Sequence, residues 1–262
     1  MAKVCQLFSG SSGNSILISS KGHNFLVDIG VSAKRCECAL NNMGINPDSI
    51  DGIFVTHEHI DHTGGVRVFA SRHNTPVFAS DRCLEEMESK GIISDKLYSQ
   101  SFCNHMELFS TEIKSFVQSH DSVDCLGYRF DLPSGQSVCV CTDTGYITDN
   151  AKEICKGTDL IFLESNHEAS MVAAGPYPYP LKQRILGDKG HLSNFACGEF
   201  VKELAAGGTT RFVLSHLSRE NNMPHIAKQA SLSALAEIGL KEDSDFRLYV
   251  SPPENEGRWI AL

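Results

Sequence analysis

What the sequence lacks restricts it first. No apolar run approaches the roughly 20 residues that a membrane span requires; the longest, such as Leu160-Ile161-Phe162-Leu163, are strand-sized. Met1 to Phe8 carries neither the apolar stretch nor the small-residue cleavage site of a secretory signal. A cytoplasmic location is therefore expected, without a membrane or an obligate protein partner. The ten cysteines include no Cys-x-x-Cys pair, which points to free thiols rather than to a disulfide or zinc framework. Cys139 and Cys141 alternate along an apparent strand and share one face as small core residues. Excess basic charge is absent as well: a formal net charge of −9 argues against a broadly basic nucleic-acid-binding face, while leaving room for a local patch. No linker rich in Pro, Gly or Ser, no charge block and no low-complexity run divides the chain, so residues 1–262 read as one α/β domain with a sizeable core.

What is present is concentrated. The run Thr56-His57-Glu58-His59-Ile60-Asp61-His62 follows apolar Ile53-Phe54-Val55 and precedes Gly64-Gly65, the pattern of a strand that empties into a tight loop. Imidazole nitrogen and carboxylate oxygen suit zinc, manganese or iron. His57, His59, Asp61 and His62 are too many for one ion to use from one short loop, so two ions are implied. The pattern then returns. Ile113 to Val117 ends in Gln118-Ser119-His120, Val138 to Cys141 in Thr142-Asp143, and Phe212 to Leu214 in Ser215-His216. Such strand ends can meet at one sheet edge, where loops carry sites on a rigid scaffold. His57, His59 and His120 would hold the first ion and Asp61, His62 and His216 the second, with Asp143 bridging. Two divalent ions about 3.5–4 Å apart can share a water, lower its pKa and stabilise both the attacking and leaving oxygens of a phosphoester. Hydrolytic chemistry is expected.

Other segments leave two readings open. Ser9-Gly10-Ser11-Ser12-Gly13-Asn14-Ser15 joins strand-like Val4 to Phe8 and Ile16 to Ile18; its N–H groups and hydroxyls could hold a phosphate, or it is a plain turn. Asp28, at the end of strand-like Phe25 to Val27, could orient a metal-bound imidazole or simply cap a turn. Val66 to His73 reads as a helix, and Ser80 to Lys90 as an exposed acidic one. His73 and His105 lack the strand-end setting and read as ordinary surface histidines. The alternation of helices and strands suggests two similar αβ halves, roughly residues 1 to 120 and 121 to 262, packed as a four-layer αββα sandwich.

His-x-His-x-Asp-His followed by a separate His, a Thr-Asp and a further His resembles the metallo-β-lactamase-fold superfamily, and the order of motifs covers nearly the whole chain. More narrowly, Ser9 to Ser15, Asp28-Ile29-Gly30, Ser119-His120-Asp121, Thr142 to Gly145, Glu164-Ser165-Asn166-His167, Gly190 to Asn194 and Leu214 to Asn222 are similar to the YycJ/WalJ group of small bacterial proteins. That resemblance implies a DNA exonuclease working from 5′ ends. His62 directly after Asp61 is the form of nucleases, glyoxalase II enzymes and other two-metal hydrolases rather than of true β-lactamases. No block between Asp143 and His216 is long enough for the clamp domain of the β-CASP nucleases, and no flexible arm like that of the tRNA-processing members is evident.

Substrate contact is expected from Ser11, Ser12 and Asn14, from Tyr177, Lys182 and Arg184 in Tyr177-Pro178-Tyr179-Pro180-Leu181-Lys182-Gln183-Arg184, and from Arg219. Aromatic rings there could stack on bases and cations could pair with phosphates; the alternative is an ordinary loop leading into a helix at Leu181 to Leu186. Asp61, His191 and Glu164 are expected to serve the chemistry. His191 resembles the non-ligand histidine of nucleases with this fold and would protonate the leaving oxygen, with Glu164 supporting its charged form. Three functions remain open: a phosphodiesterase on DNA or RNA, a small-molecule hydrolase such as a glyoxalase II-type thioesterase or cyclic-nucleotide phosphodiesterase, and a non-catalytic, metal-stabilised interaction protein. The ligand set accepts zinc or manganese, and iron as well.

Overall fold

Along Ser137–Cys141, Val138 and Val140 point to one side and Cys139 and Cys141 to the other, and both sides are buried. The same alternation in Leu160–Glu164, with Leu160 and Phe162 opposed to Ile161 and Leu163, makes these central strands of a sheet covered on both faces. The computed structural model, which describes residues 2–255 and 257–262, shows how that pattern is met. The first part of the chain runs β1 (Lys3–Phe8), β2 (Ser15–Ser20), β3 (His23–Val27), α1 (Ala33–Asn42), β4 (Ile50–Phe54), α2 (Ile60–Thr63), α3 (Val66–His73), β5 (Val77–Ala79), α4 (Asp81–Ser89) and β6 (Ser99–Ser101). It continues as β7 (His105–Leu108), β8 (Thr111–Val117), β9 (Leu126–Asp131), β10 (Ser137–Cys141), α5 (Asp149–Cys155), β11 (Leu160–Glu164), α6 (Ala169–Ala174), α7 (Tyr179–Leu186), α8 (Asn194–Ala206), β12 (Arg211–Ser215), α9 (Pro224–Glu237), β13 (Arg247–Val250) and β14 (Ile260–Ala261).

Two seven-stranded sheets form, ordered β14-β1-β2-β3-β4-β5-β6 and β13-β12-β11-β10-β9-β8-β7. Three apolar cores separate four layers. Leu40, Phe69 and Met87 bring α1, α3 and α4 onto Leu17, Leu26 and Ile53 of the first sheet. Phe25, Phe54, Tyr128 and Phe162 fill the space between the sheets. Phe200, Leu204 and Leu235 bring α8 and α9 onto Ile161, Phe212 and Leu214 of the second. The αββα sandwich expected from the sequence is therefore the fold. Its division differs from the expected one: the sheets part between β6 and β7, not near residue 120, and β14 returns to pair antiparallel with β1. The strand before His120 sends that histidine toward His57, but its ladder hydrogen bonds go to β9. Likewise α4 is not wholly exposed, since Cys83 and Met87 turn into the first core.

Strand direction positions the site. β3, β4, β5 and β6 are mutually parallel, as are β10, β11, β12 and β13. β8 is antiparallel to β9 and β9 to β10, so the carboxyl end of β8 emerges with those of the parallel strands. All ten cysteines are free and eight are buried; burial pushes the Cys5, Cys36 and Cys197 thiols up to about 12, which keeps them protonated and unreactive. Among the described residues no helix is long and apolar enough to cross a membrane.

Phe54 sits at the centre of the inner core. It stacks on Phe78 at 4.9 Å and meets Phe25, Phe102, Tyr128 and Phe130 edge-on at 5.3–6.0 Å between ring centroids. Phe54→Ala would open a cavity that neither sheet can collapse into, at a cost of about 3–5 kcal/mol. A urea titration should show the midpoint falling accordingly with little change in slope; a shift worth less than about 1 kcal/mol would mean that this cluster does not hold the sheets together.

Candidate metal centre

The ligand-bearing turns are locally strained and locally held. Asp28, Asp143 and His216, each just past a strand end, adopt φ of 62°, 65° and 56°, a left-handed region that costs a side-chain-bearing residue energy and persists only where surroundings enforce it. Asp28 N–H donates to Phe54 O at 3.0 Å, and Thr56 N–H to Asp28 Oδ1 at 2.8 Å. His216 N–H donates to Ser9 Oγ at 2.9 Å. The loop at Asp61 lies so close to Gly30 that a Cβ there would stand 1.7 Å from Asp61 O; no other residue fits without moving the loop.

Two triads result. Donor atoms of His57, His59 and His120 lie within 4.8 Å of one another, as do those of Asp61, His62 and His216. Asp143 lies between them: its Oδ2 is 3.3 Å from His62 Nε2 and its Oδ1 3.2 Å from His216 Nδ1, and it also groups with His57 and His62. The outer nitrogens of these rings are anchored. His62 Nδ1 is 2.7 Å from Asp28 Oδ2, His57 Nδ1 3.0 Å from Thr56 Oγ1, His120 Nδ1 3.1 Å from Gly190 O and His216 Nδ1 3.0 Å from Glu164 Oε1. The Thr56 hydroxyl donates to Asp28 Oδ2 at 2.9 Å. An imidazole that gives one N–H to a carboxylate, hydroxyl or carbonyl presents its other nitrogen as a lone pair, the arrangement of metal-bound histidines. Two inward atoms, Asp143 Oδ2 and His216 Nε2, are buried without a hydrogen-bond partner. Burying polar atoms unsatisfied is costly, and the donor set fits divalent cations.

Charge leads to the same conclusion. Asp28, Asp143 and Glu164 are buried and Asp61 half-buried, and their only ion-pair partners among the described residues are histidines. Burial disfavours the His62 cation, but Asp143, Asp28 and Asp61 outweigh it and raise its pKa to about 9. His216 is likewise held well above the ordinary range against burial, by Asp143, Asp61 and Glu164. Burial and the surrounding imidazoles push His57 the other way, keeping it neutral. For Asp61, burial is overcome by His216 and His62, and its carboxyl falls below the usual carboxylate range. A divalent ion among these atoms would take over the charge that protons otherwise supply.

Glu164 is central to the second sheet's contribution. Its Oε1 accepts from His191 Nδ1 at 2.8 Å and from His216 Nδ1 at 3.0 Å, and its Oε2 from the N–H groups of Thr144 and Leu192 at 2.8 and 3.2 Å. With both oxygens so engaged it is an orienting anion, although it groups with Asp143, His191 and His216 as a further set of ligand-type atoms. His191 lies between the triads, its ring 5.1 Å from that of His120 and 5.3 Å from that of His216. Burial disfavours its cation, but Glu164 outweighs this and raises its pKa.

The residues expected to touch substrate are placed unevenly. Asn14 is turned inward: its N–H donates to Asp61 O at 2.8 Å, its Oδ1 accepts from Gly10 N–H, and its Nδ2 lies 3.1 Å from His62 Nε2. It ties the opening loop to the metal loop instead of facing solvent. Ser11 and Ser12 are exposed, and Ser12 Oγ accepts from Arg219 at 2.8 Å. Lys182 donates to Ala173 O, and Arg184 pairs with Asp121, whose other oxygen is 3.3 Å from His120 Nε2. Arg184 therefore braces the first triad, a role its place in a Tyr- and Pro-rich run does not announce. Tyr177 is half-buried. His73 is engaged by Asp48 and Glu37, and His105 by Glu112, away from the cluster.

A buried amide knot was not foreseen. Asn222 Nδ2 donates to Ser165 O, Asn166 O and Asn194 Oδ1 at 2.8–3.0 Å, Ser165 Oγ donates to Asn194 Oδ1, and Asn166 Nδ2 donates to His216 O at 2.9 Å. It joins the loops carrying Glu164, His191 and His216. The Ser/Thr that closes each ligand strand has a related use, as Thr56 on Asp28 shows; its recurrence in the sequence was the available signal.

Comparison with known proteins agrees with this geometry. A family described as a beta-lactamase superfamily domain matches residues 23–217. The chain is 35% identical over 256 residues to exodeoxyribonuclease WalJ of Streptococcus pneumoniae, covering 96% of this chain and 95% of that protein. It is 32% identical over 250 residues to exodeoxyribonuclease YycJ of Bacillus anthracis, covering 95% and 94%. The metallo-β-lactamase-fold protein YhfI of Bacillus subtilis superposes with a TM-score of 0.74 at 16% identity over 97% of this chain and 98% of that one, a likeness of fold. The paired seven-stranded sheets, the His and Asp clusters at their common edge and these near-full-length similarities together place the chain in the metallo-β-lactamase-fold superfamily, within its WalJ/YycJ group.

Proposed function

We propose that this protein is a two-metal phosphodiesterase that removes nucleotides from the 5′ ends of DNA. The observation that carries the reading is the meeting of two ligand triads on Asp143, with Asp143 Oδ2 and His216 Nε2 buried without a hydrogen-bond partner; near-full-length similarity to proteins named exodeoxyribonucleases supports the substrate class. His57, His59 and His120 would hold one ion, Asp61, His62 and His216 the other, and Asp143 both, with zinc or manganese the expected metals. Two such ions supply Lewis acidity at the phosphate and an activated water.

The protein's own groups do the rest. Asp28 fixes the tautomer of His62 and Glu164 that of His216. His191, with Nδ1 held by Glu164, presents Nε2 to donate a proton to the departing oxygen. Ser11, Ser12 and Arg219 flank the second triad, joined to it through Ser9 and His216, and are suited to hold phosphate oxygens. End-labelled duplex DNA, single strands, RNA and a panel of thioesters, each incubated with metal-loaded protein, test the assignment. Release of a 5′ label as mononucleotide in the first cleavage, with stepwise shortening of 3′-labelled DNA, is expected; turnover confined to thioesters would overturn it.

Elemental analysis of protein purified without chelator should approach about two ions per chain. Asp143→Ala should lower both occupancies. Asp28→Asn, which removes the anion behind His62, should weaken retention of one ion by about 10–100-fold as read by competition with a chelating dye. A stoichiometry of one that added zinc or manganese cannot raise would remove the two-ion assignment.

His191→Ala should keep both metals and near-normal DNA affinity while turnover falls by about a hundredfold or more. The loss should shrink on a nitrophenyl phosphodiester, whose leaving group needs no proton. An equal loss on both substrates, with metals intact, would assign His191 to positioning.

A further inference from the structure

Two large rings remain exposed on the segments that follow Asp143 and His191, and neither packs against another aromatic ring among the described residues. Tyr146 is 49% exposed and follows Asp143 by three positions; Phe195 is 76% exposed and follows His191 by four. They come from different loops, yet both line one cleft of about 580 Å³ between α5 and α8. Isolated exposed apolar side chains are ordinary, whereas rings converging on one cleft from the segments that carry Asp143 and His191 mark a binding surface.

The character of the cleft changes along its length. The outward stripe of α8 that borders it is Phe195, Glu199, Lys202 and Glu203: apolar at the helix start that follows His191 and charged beyond. The charges are spent internally. Lys202 pairs with Glu199 at 2.8 Å and Glu237 at 2.9 Å, and Lys152 lies 4.0 Å from Glu203. A neutralised cleft is a poor phosphate binder, while its aromatic end suits a flat, uncharged ring. Gly145 fixes Tyr146 in place, because its backbone presses against the loop before His191: a Cβ on Gly145 would stand 2.2 Å from Asp188 O. The platform is thus rigidly attached to the turn that carries Asp143.

We infer that Tyr146 and Phe195 form a stacking platform for bases of the substrate strand near its reacting end. The inference rests on the nuclease reading above. Every base has a π face, so the platform grips a strand without reading its sequence.

A thermodynamic cycle tests it with the full, metal-loaded chain. Wild type and the Tyr146→Ser/Phe195→Ser double variant are compared on a single-stranded oligonucleotide and on one whose terminal residues are abasic. On the intact strand the double variant should raise KM about tenfold, with kcat at saturation falling less than threefold. On the abasic strand wild type should lose that advantage and the two proteins should converge. Ile238→Ser, at the charged end of the cleft, should leave KM on the intact strand as in wild type. Equal KM values on the intact strand, or an equal response of both proteins to base removal, would overturn the platform. Should wild type hydrolyse bis(p-nitrophenyl) phosphate but no DNA, the nuclease reading itself would fall, and the platform with it.

Discussion

Four carboxylates, Asp28, Asp61, Asp143 and Glu164, converge where the sheets meet, and no lysine or arginine pairs with them among the described residues. Buried negative charge of that density is untenable without compensating cation, because desolvation alone costs several kcal/mol per ion. Histidine is the only partner that can yield its proton and remain useful as a ligand. The requirement explains the composition of the site. Arginine or lysine would neutralise the carboxylates permanently; imidazoles neutralise them provisionally and can exchange the proton for a metal.

Such a site must be assembled from distant pieces of chain, and the fold supplies dedicated ties. The Ser9–Asn14 loop bonds to both sides of the second triad, through Asn14 to the Asp61 segment and through Ser9 to His216. It is more than the plain turn that its composition allows. Between the sheets, Tyr128 Oη donates to Val55 O at 2.7 Å and Leu126 N–H to Thr56 O at 3.0 Å. These two bonds fasten the end of β4 to the second sheet immediately before His57. The aromatic cluster around Phe54 therefore stabilises more than the fold: it keeps the metal loop of one sheet within reach of His120, Asp143 and His216 from the other.

Legibility followed the range of the interactions. The layers and the clustering of the His and Asp residues could be read because their signatures are local: alternation along a strand, then a Ser or Thr and a ligand-type residue. Asp28 could be suspected for the same reason. The amide knot could not, since Asn222 bonds Asn194 and Ser165 across 28 and 57 positions, and Asn residues carry no periodicity. The pairing of Arg184 could not, since its partner, Asp121, is 63 positions away. The boundary between halves misled because β8 belongs to the second sheet by hydrogen bonding and to the first triad by the histidine that follows it.

Glu164 shows how closely metal binding and proton transfer are joined. One oxygen, Oε1, accepts from both His216 and His191, so the anion that orients a ligand of the second triad also sets the charge of the candidate acid. Burial opposes ionisation of Glu164, yet its imidazole partners outweigh burial and hold the carboxyl below the usual range. Its other oxygen is fixed by two backbone N–H groups, which prevents the carboxylate from rotating toward one histidine at the expense of the other. Both histidines therefore depend on the charge of the same oxygen. Acid strength at His191 and ligand basicity at His216 cannot be tuned separately, and a chain that needs both has to keep a carboxylate at this position.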